Sequence, residues 1–267
     1  MTEDSIFWVI ILGIVEGITE FIPVSSTAHL LLISHFMDIK SPGNSFIVLV
    51  QLGAVAALLH FYFYRIMSIF SSLPFDASTR YFVISLFLGF FPSAVFGFFA
   101  RDFIQSILFK ETTIMFVMLI IGGFVLLGVD SVNFRPKYFD VQKYPLSLAV
   151  KIGLFQCFAL VPGTSRSGST IVGALVLGAD KRSATEFSFF LAIPTIIGAC
   201  ALDFYKNHAV IVNDIGFSII IGCCSSFVTG LIVIRYLLNF VSKRGYAVFA
   251  LWRILVGSIG LFWDVFS

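Results

Sequence analysis

A polar stretch in the second half of the chain, from Pro162 to Thr170, has the residue types of an anion-binding site. Apolar sequence flanks it on both sides, which puts it at membrane depth, where polar insertions usually line a site rather than face lipid. Its glycines let the backbone approach an anion, and Arg166 offers a planar fork of donors to phosphate oxygens. The binding candidates are Gly163, Thr164, Ser165, Arg166 and Ser167.

The start of a helix within this stretch would strengthen the same pocket. A helix that begins near Ser167 would add its N-terminal N–H groups and its dipole. The stretch is not a Walker P-loop, because no Gly-Lys-Ser or Gly-Lys-Thr follows. The simpler alternative is a polar break between two membrane helices.

Two carboxylates, Glu16 and Glu20, stand at positions i and i+4 of the first apolar segment and so share one helix face. Like charges at membrane depth repel one another and are costly to bury. We interpret the pair as ligands of a metal ion, as a general acid and base, or as both. The alternative is a polar pair that binds a neighbouring helix or reaches the membrane surface.

Three consecutive hydroxyls, Ser25, Ser26 and Thr27, follow the helix-ending Pro23 and precede a short apolar segment. N-capping accounts for one of them but does not require three, so a second could be a nucleophile or a phosphate ligand. His29 follows in the first turn of the predicted helix. We interpret it as a general base, a leaving-group acid or, less readily, the nucleophile, against the alternative of a structural histidine.

The composition is that of an integral membrane protein. Of 267 residues, 58% are hydrophobic and 12% are charged, whereas a soluble domain has about 25% charged residues. The basic residues are scattered among short loops and form no patch, so the sequence predicts no nucleic-acid partner.

The apolar segments predict the membrane topology. Two pairs of segments are each interrupted by polar residues and are too short to cross the bilayer, so they predict two re-entrant helical hairpins. The first pair is Ile6–Val15 with Leu30–Phe36, and the second is Leu148–Val161 with Ile171–Leu177. The predicted spans are Phe46–Tyr62, Tyr81–Ala100, Thr113–Val129, Phe187–Tyr205, Ile215–Leu238 and Tyr246–Phe266. The fold class is therefore an all-α integral membrane protein with six transmembrane helices plus two re-entrant hairpins.

The two halves of the chain also resemble each other. The segment Gly13-Ile-Val-Glu16 matches Gly153-Leu-Phe-Gln156, and Pro23-Val-Ser-Ser26 matches Pro162-Gly-Thr-Ser165. Each half has one hairpin and an odd number of spans, so the copies must have opposite orientations. The chain is thus predicted to be one membrane domain, 1–267, built from inverted repeats at about 1–130 and 145–267 and joined by a polar linker. The site is expected where the two hairpins meet near the midplane.

Lysine and arginine in the loops predict the orientation. The richer side holds Arg65, Arg80, Arg135, Lys137, Lys143, Lys181, Arg182, Lys243 and Arg244, and the other holds Lys40, Arg101, Lys110 and Lys206. The richer side should be cytoplasmic, which leaves both termini and the mouth of the first hairpin outside. A capping box, Ser183-Ala-Thr-Glu186, is predicted to start one of the later spans and makes Glu186 structural.

Both polar stretches resemble signatures of one family, the bacterial undecaprenyl-diphosphate phosphatases of bacitracin resistance. The first is Glu16-Gly-Ile-Thr-Glu20-Phe-Ile-Pro23-Val-Ser25-Ser26-Thr27-Ala-His29, and the second runs from Pro162 to Thr170. Together with Gln51-Leu-Gly and Glu186-Phe-Ser-Phe, the resemblance covers essentially the whole chain. Ala28 is a departure, because the family often has glycine before the histidine.

The resemblance implies an enzyme of the bacterial plasma (inner) membrane that removes the terminal phosphate from a C55 polyprenyl diphosphate lipid. The product would be recycled for peptidoglycan synthesis, and the site would open to the periplasmic or outer face. The family implies a divalent cation, Mg²⁺ or Ca²⁺, which Glu16 and Glu20 would bind. Carried over by motif, the active-site residues are Glu16, Glu20, Ser25, Ser26, His29, Ser165 and Arg166, with Thr27 and Ser167 in support.

Several alternatives stay open at this stage. The nucleophile is Ser26, with His29 or a glutamate taking its proton, or a cation-activated water. Paired re-entrant hairpins in an inverted repeat also suit a transporter or flippase for a phosphorylated lipid or anion. Small-residue faces at Gly122-Gly123 and between Gly222 and Gly230 could pack helices within the chain or join two copies, so a homodimer is an open expectation.

Overall fold

The computed structural model of this chain describes residues 3–36, 44–104, 111–132 and 135–266, and these are almost entirely helical. The first half contains α1 (Glu3–Thr19), α2 (Ser26–Phe36), α3 (Asn44–Leu49), α4 (Gln51–Phe61), α5 (Phe63–Ser72), α6 (Ala77–Phe103) and α7 (Thr112–Ser131). The second half contains α8 (Leu146–Gln156), α9 (Arg166–Val176), α10 (Lys181–Val210), α11 (Gly216–Arg244) and α12 (Ala247–Phe266).

Five helices in the described ranges, α6, α7, α10, α11 and α12, are long and apolar enough to cross a membrane. The count becomes six if the bent segment formed by α3, α4 and α5 is one span. The chain is therefore a multi-pass membrane protein. The predicted span Phe46–Tyr62 corresponds to α3 and α4, which follow one another through Val50, and the chain bends after Phe61.

The helix α5 was not predicted as an element. It follows α4 after a bend of 72°. Its sequence alternates aromatic residues such as Phe63 and Phe70, both more than half exposed, with serines and Arg65. That mixture is too polar to be read as the continuation of a span, and it is typical of a helix that lies along a surface.

The two polar stretches each join a pair of short helices, as the sequence predicted. In the first, α1 ends at Thr19 and α2 begins at Ser26; in the second, a 3₁₀ turn follows α8 and α9 begins at Arg166. The start of α9 lies one residue before the predicted Ser167. Each first helix, α1 and α8, is apolar but shorter than a span.

Two close helix crossings fix the hairpins to the spans. The helix α1 packs on α11, and α8 packs on α6. A Cβ at Gly13 would lie 2.4 Å from the carbonyl oxygen of Gly222, and one at Gly153 would lie 2.3 Å from the carbonyl oxygen of Gly89. Only glycine allows the backbones to approach this closely, so both positions fix how α1 and α8 pack on the long helices.

The predicted small-residue faces pack within the chain. A Cβ at Gly123 would meet Ile254 of α12, and a Cβ at Gly230 would meet Ala57 of α4. These faces are therefore occupied by neighbouring helices of the same chain, and the homodimer stays a prediction.

One polar residue outside the hairpins, Asp130, has a role that the sequence analysis did not predict. Asp130 is not the start of a linker but lies within α7, where its carboxylate accepts the N–H groups of Tyr246 (2.8 Å) and Ala247 (2.9 Å) and pairs with Lys181. It thus caps the N-terminus of α12 from another helix. The predicted polar linker, Asp130 to Tyr144, therefore begins only after α7. The backbone N–H groups that Asp130 accepts come from residues more than a hundred positions away, so the sequence pattern did not reveal this role.

The predicted capping box at Ser183 was also wrong. Asp180 is the N-cap of α10, and its carboxylate accepts the N–H groups of Arg182 and Ser183. Glu186 instead accepts from the guanidinium of Arg65 at the start of α5. Its role is structural, as predicted, but it ties α5 to α10 rather than capping a helix.

Candidate active site

The turns of both hairpins have the same unusual backbone. Ser25 and Ser165, 140 positions apart, adopt left-handed φ angles of 72° and 76°, which for a residue with a side chain cost on the order of 1–3 kcal/mol. Each directly precedes the first residue of its short helix, Ser26 or Arg166. The structural register thus pairs Ser25 with Ser165, one residue away from the predicted match of Ser26 with Ser165. Strain of this kind is concentrated at functional sites.

Glu20 joins the two hairpins. Its Oε2 accepts the hydroxyl of Ser26 at 2.6 Å, and its Oε1 accepts Nη2 of Arg166 at 3.0 Å. Nη1 of Arg166 donates to the Ser188 carbonyl at 2.9 Å, while its Nε is buried without a hydrogen-bond partner in the described residues. A guanidinium in this arrangement is fixed in direction and keeps a donor for an incoming anion.

Glu16 lies one helical turn before Glu20 and is fully buried. Neither of its carboxylate oxygens has a hydrogen-bond partner among the described residues. Its electrostatic neighbours include Glu20 and Arg166. Two carboxylates therefore stand beside a single guanidinium, which leaves room for a further positive charge.

The second hairpin contributes the remaining predicted phosphate ligands. The hydroxyls of Ser165 and Ser167 are 3.2 Å apart, and that of Ser167 donates to the Ile22 carbonyl of the first hairpin at 3.2 Å. Ser165 also accepts the N–H of Gly168 and so caps α9. The hydroxyl of Thr164 is buried without a hydrogen-bond partner in the part of the chain described.

A cavity of about 460 Å³ opens over these residues. Its polar end is formed by both hairpins, and most of its remaining lining is apolar. The hairpin residues that line the polar end are Glu20, Ser25, Ser26, Thr27, Gly163, Ser165, Arg166 and Ser167, and the apolar wall includes Val48, Phe90, Phe98, Leu160, Ile196 and Leu202. The cavity has the chemistry expected for a ligand with an anionic head and an apolar tail.

Comparison with known proteins identifies the family. The model of the family described as "Bacitracin resistance protein BacA" matches residues 9–259. The chain belongs to the BacA family. It is 56% identical over 261 residues to Undecaprenyl-diphosphatase 1 of Agrobacterium fabrum, an alignment that covers 98% of this chain and 97% of the relative. It is 54% identical over 262 residues to Undecaprenyl-diphosphatase of Sinorhizobium medicae, with the same coverage of both chains.

The BacA chain holds its motif histidine away from the cavity. His29 is buried, and both of its ring nitrogens have partners: Nδ1 lies 2.8 Å from the Ser25 carbonyl oxygen, and Nε2 lies 2.9 Å from Nε1 of Trp252. The lining of the cavity does not include His29, nor does it include Glu16 or Thr164. The other eight candidate residues of the sequence analysis line it.

Arg253 of the BacA chain is the residue whose role the sequence analysis did not assign. It is fully buried in α12 and donates to the carbonyls of Pro23 (3.2 Å) and Gly163 (3.0 Å), one from each hairpin turn. It also donates to the carbonyls of Met118 and Leu119 in α7. Its position inside an apolar segment could have revealed it, because a charged residue there is costly and usually has a specific partner.

A second polar group borders the apolar wall of the cavity. Gln156, the predicted repeat partner of Glu16, donates to the hydroxyl of Ser93. Its Oε1 lies 3.4 Å from the Thr195 hydroxyl, which donates to the Leu191 carbonyl at 2.7 Å. Ser93, Gln156 and Thr195 line the cavity. Gln156 is thus in direct contact with the cavity.

Proposed function

We propose that this chain hydrolyses undecaprenyl diphosphate to undecaprenyl phosphate and inorganic phosphate. Relatives at 52–56% identity over nearly their whole length have the name undecaprenyl-diphosphatase. The observation that carries the proposal is the shared carboxylate of Glu20, which binds Ser26 and Arg166 from opposite hairpins. Hydrolysis of this lipid would recycle the carrier for peptidoglycan synthesis and would account for the bacitracin resistance in the family name.

The geometry supports Ser26 as the nucleophile. Its hydroxyl already donates to Glu20, so Glu20 can take the proton as Oγ attacks the terminal phosphorus. The bond from that phosphorus to the bridging oxygen breaks, and undecaprenyl phosphate leaves. Water then attacks the phosphoserine, a proton from that water passes through Glu20 to Ser26, and inorganic phosphate is released.

Arg166 and the helix N-termini would hold the transferring phosphate. Arg166 lines the polar end of the cavity, its Nε has no hydrogen-bond partner in the described residues, and α2 and α9 both begin at residues that line it. These donors are fixed in place before the substrate binds, which is the arrangement that lowers the barrier of a reaction in which charge moves between oxygens. The apolar wall would receive the first isoprene units.

A divalent cation fits the carboxylate pair. Glu16 has two buried oxygens without hydrogen-bond partners in the described residues and lies beside Glu20. Those residues contain no group of three or more His, Cys, Asp or Glu side chains that could hold a metal ion, so hydroxyls and substrate oxygens would complete the shell, as they often do for Mg²⁺. When bound, Mg²⁺ or Ca²⁺ would neutralise charge on the phosphates.

The test is phosphate release from a C55 diphosphate by the purified protein in detergent. We expect Ser26→Ala, Glu20→Gln and Arg166→Ala each to lower kcat/KM by about 100-fold or more. The matched control is Arg80→Ala, because Arg80 is exposed at the start of α6 and donates only to the nearby carbonyls of Leu73 and Pro74 among the contacts described. Full activity in all three folded site variants would contradict the proposal.

The cation assignment has its own test. We expect EDTA to abolish phosphate release and added Mg²⁺ or Ca²⁺ to restore it, since the charge of two carboxylates and a diphosphate exceeds that of Arg166. The Glu16→Gln variant should need a higher cation concentration for half-maximal rate, because it loses one charged ligand. An unchanged concentration dependence would remove Glu16 from the cation site.

The proposed architecture is a single domain of two inverted repeats with six spans. Support comes from the packing of α1 on α11 and α8 on α6, from the two matched glycine crossings, and from the matched left-handed serines. The proposed location is the bacterial inner membrane, with the cavity open to the periplasmic face. The lysine and arginine distribution supports this orientation.

A further inference from the structure

The hydrogen bonds of His29 fix which of its nitrogens holds the proton. A carbonyl oxygen can only accept and an indole N–H can only donate. Nδ1 of His29 must therefore donate to the Ser25 carbonyl, and Nε2 must accept from Nε1 of Trp252. The two rings are also nearly parallel, with centroids 6.2 Å apart and an interplanar angle of 14°.

The Nδ1 bond acts on the residue just before the proposed nucleophile. Ser25 is in the left-handed region, and its carbonyl accepts the backbone N–H of His29 at 3.3 Å and the ring at 2.8 Å. The ring bond is the shorter of the two. It holds the strained turn from which the hydroxyl of Ser26 points to Glu20.

The same contacts argue against His29 as the proton acceptor. Its Nε2 lone pair is used by Trp252, and its ring does not line the cavity. The hydroxyl of Ser26 already has an acceptor in Glu20. A role as general base would require the indole bond to break and the ring to turn toward Ser26.

We infer that His29 is a positioning residue, which orients the Ser25 turn through Nδ1–H, and that Trp252 holds its ring in that tautomer. Nothing in the family signatures includes Trp252. The neighbouring Arg253 anchors this turn of α12 to both hairpins, so the indole is held at a fixed place although its ring is 48% exposed. The inference rests on the proposed hydrolysis, because Ser26 is assumed to be the group positioned.

A pair of isosteric substitutions separates positioning from proton transfer. The amide nitrogen of Asn matches the place of Nδ1, and that of Gln matches the place of Nε2. We expect His29→Asn to keep kcat within about 10-fold of the wild type, and His29→Gln to lose at least a further 10-fold with an unchanged KM. Equal, severe losses in both folded variants would overturn the inference, since neither amide can act as a base.

Trp252 is tested in a double-mutant cycle. We expect Trp252→Phe to lower kcat by roughly 3- to 10-fold in the wild type but to have little further effect in the His29→Asn background, because it acts through the imidazole. Trp263→Phe on the same helix, with 54% of the residue exposed, is the matched control and should have the wild-type kcat. Additive losses in the cycle would contradict the role of Trp252.

A measurement without turnover distinguishes this inference from the proposed reaction. In protein labelled with ¹⁵N-histidine, with His35, His60 and His208 replaced by glutamine, Nδ1 of His29 should have a protonated shift and Nε2 an unprotonated one. Trp252→Phe should produce a mixture of tautomers. An Nε2–H tautomer in the wild type would overturn the inference even if phosphate release occurs, and the expected tautomer without phosphate release would contradict the proposed reaction alone.

Discussion

Glu20 is the residue on which the two hairpins converge. One of its oxygens binds Ser26 from its own hairpin, and the other binds Arg166 from the second. A single carboxylate thereby fixes the distance between a proposed nucleophile and a proposed phosphate ligand. The side chains of Arg166 and Glu20 are 12% and 7% exposed, so removal of either one would leave the other as an unpaired and largely buried charge.

Single residues were predictable where their chemistry conflicts with the surrounding sequence. Glu16, Glu20 and Arg166 stand out because charges in apolar segments are costly. The same rule applies to Arg253, but its partners are backbone carbonyls, which leave no pattern in a sequence. The bond between His29 and Trp252 joins residues 223 positions apart and depends wholly on helix packing.

Arg253 provides a prediction at this scale. We expect Arg253→Leu to destabilise the protein by on the order of 3 kcal/mol or more, because it leaves buried carbonyls of both hairpin turns without donors. The stability of Arg253→Lys should lie between those of the wild type and Arg253→Leu, because an ammonium lacks the planar fork that reaches several carbonyls. Thermal unfolding in detergent measures this, with the exposed Arg182→Leu as control. Equal melting temperatures for all four proteins would refute it.

At the scale of elements, the hairpins followed from length and the turns did not. Apolar segments too short to cross the bilayer on either side of a polar stretch predict re-entrant structure. The left-handed serines could not be predicted, because that conformation usually belongs to glycine. The boundary between α3 and α4 at Val50 was equally hidden, since Cys200 and Cys223 from distant helices donate to the carbonyls of Val48 and Leu49 beside it.

The crossing of α1 and α11 gives a prediction for one element. We expect Gly13→Ala to destabilise the protein by about 1–3 kcal/mol, because the new methyl would press on the Gly222 carbonyl and force the helices apart. Gly128→Ala is the matched control: a Cβ there meets nothing within 4 Å, and alanine favours a helix. If the two variants unfold at the same temperature, Gly13 does not fix how α1 packs on α11.

At the scale of the whole molecule, helices of each proposed repeat pack on helices of the other. The first short helix of each half packs on a long helix of the other half, and α7 packs against α12. Internal sequence similarity indicated the repeat, but it did not indicate which helices would pair. That information lies in side-chain fit across the halves, which hydropathy does not record.

The proposed inverted topology is testable by labelling. In a variant without the native cysteines, we expect Phe75→Cys and Phe139→Cys to react with a membrane-impermeant maleimide only from the cytoplasmic side. Glu111→Cys should react only from the outside, because α6 separates it from Phe75. All three native residues are exposed, so burial does not limit the reaction. Labelling of Phe75→Cys and Glu111→Cys from the same side would rule out the proposed topology.

The guanidinium of Arg253 also limits how the molecule can move. Since it binds Pro23 and Gly163 at once, a hinge between the two halves cannot open at the turns without breaking at least one of these hydrogen bonds. The polar end of the cavity, which the two hairpin turns form, is therefore expected to be rigid. An opening that admits a lipid is expected at the opposite wall, where Phe90 of α6 packs near Gly198 of α10 beside the Ser93, Gln156 and Thr195 group. A bulky tail would thus enter from the side of the cavity, between α6 and α10, while the hairpin turns stay together.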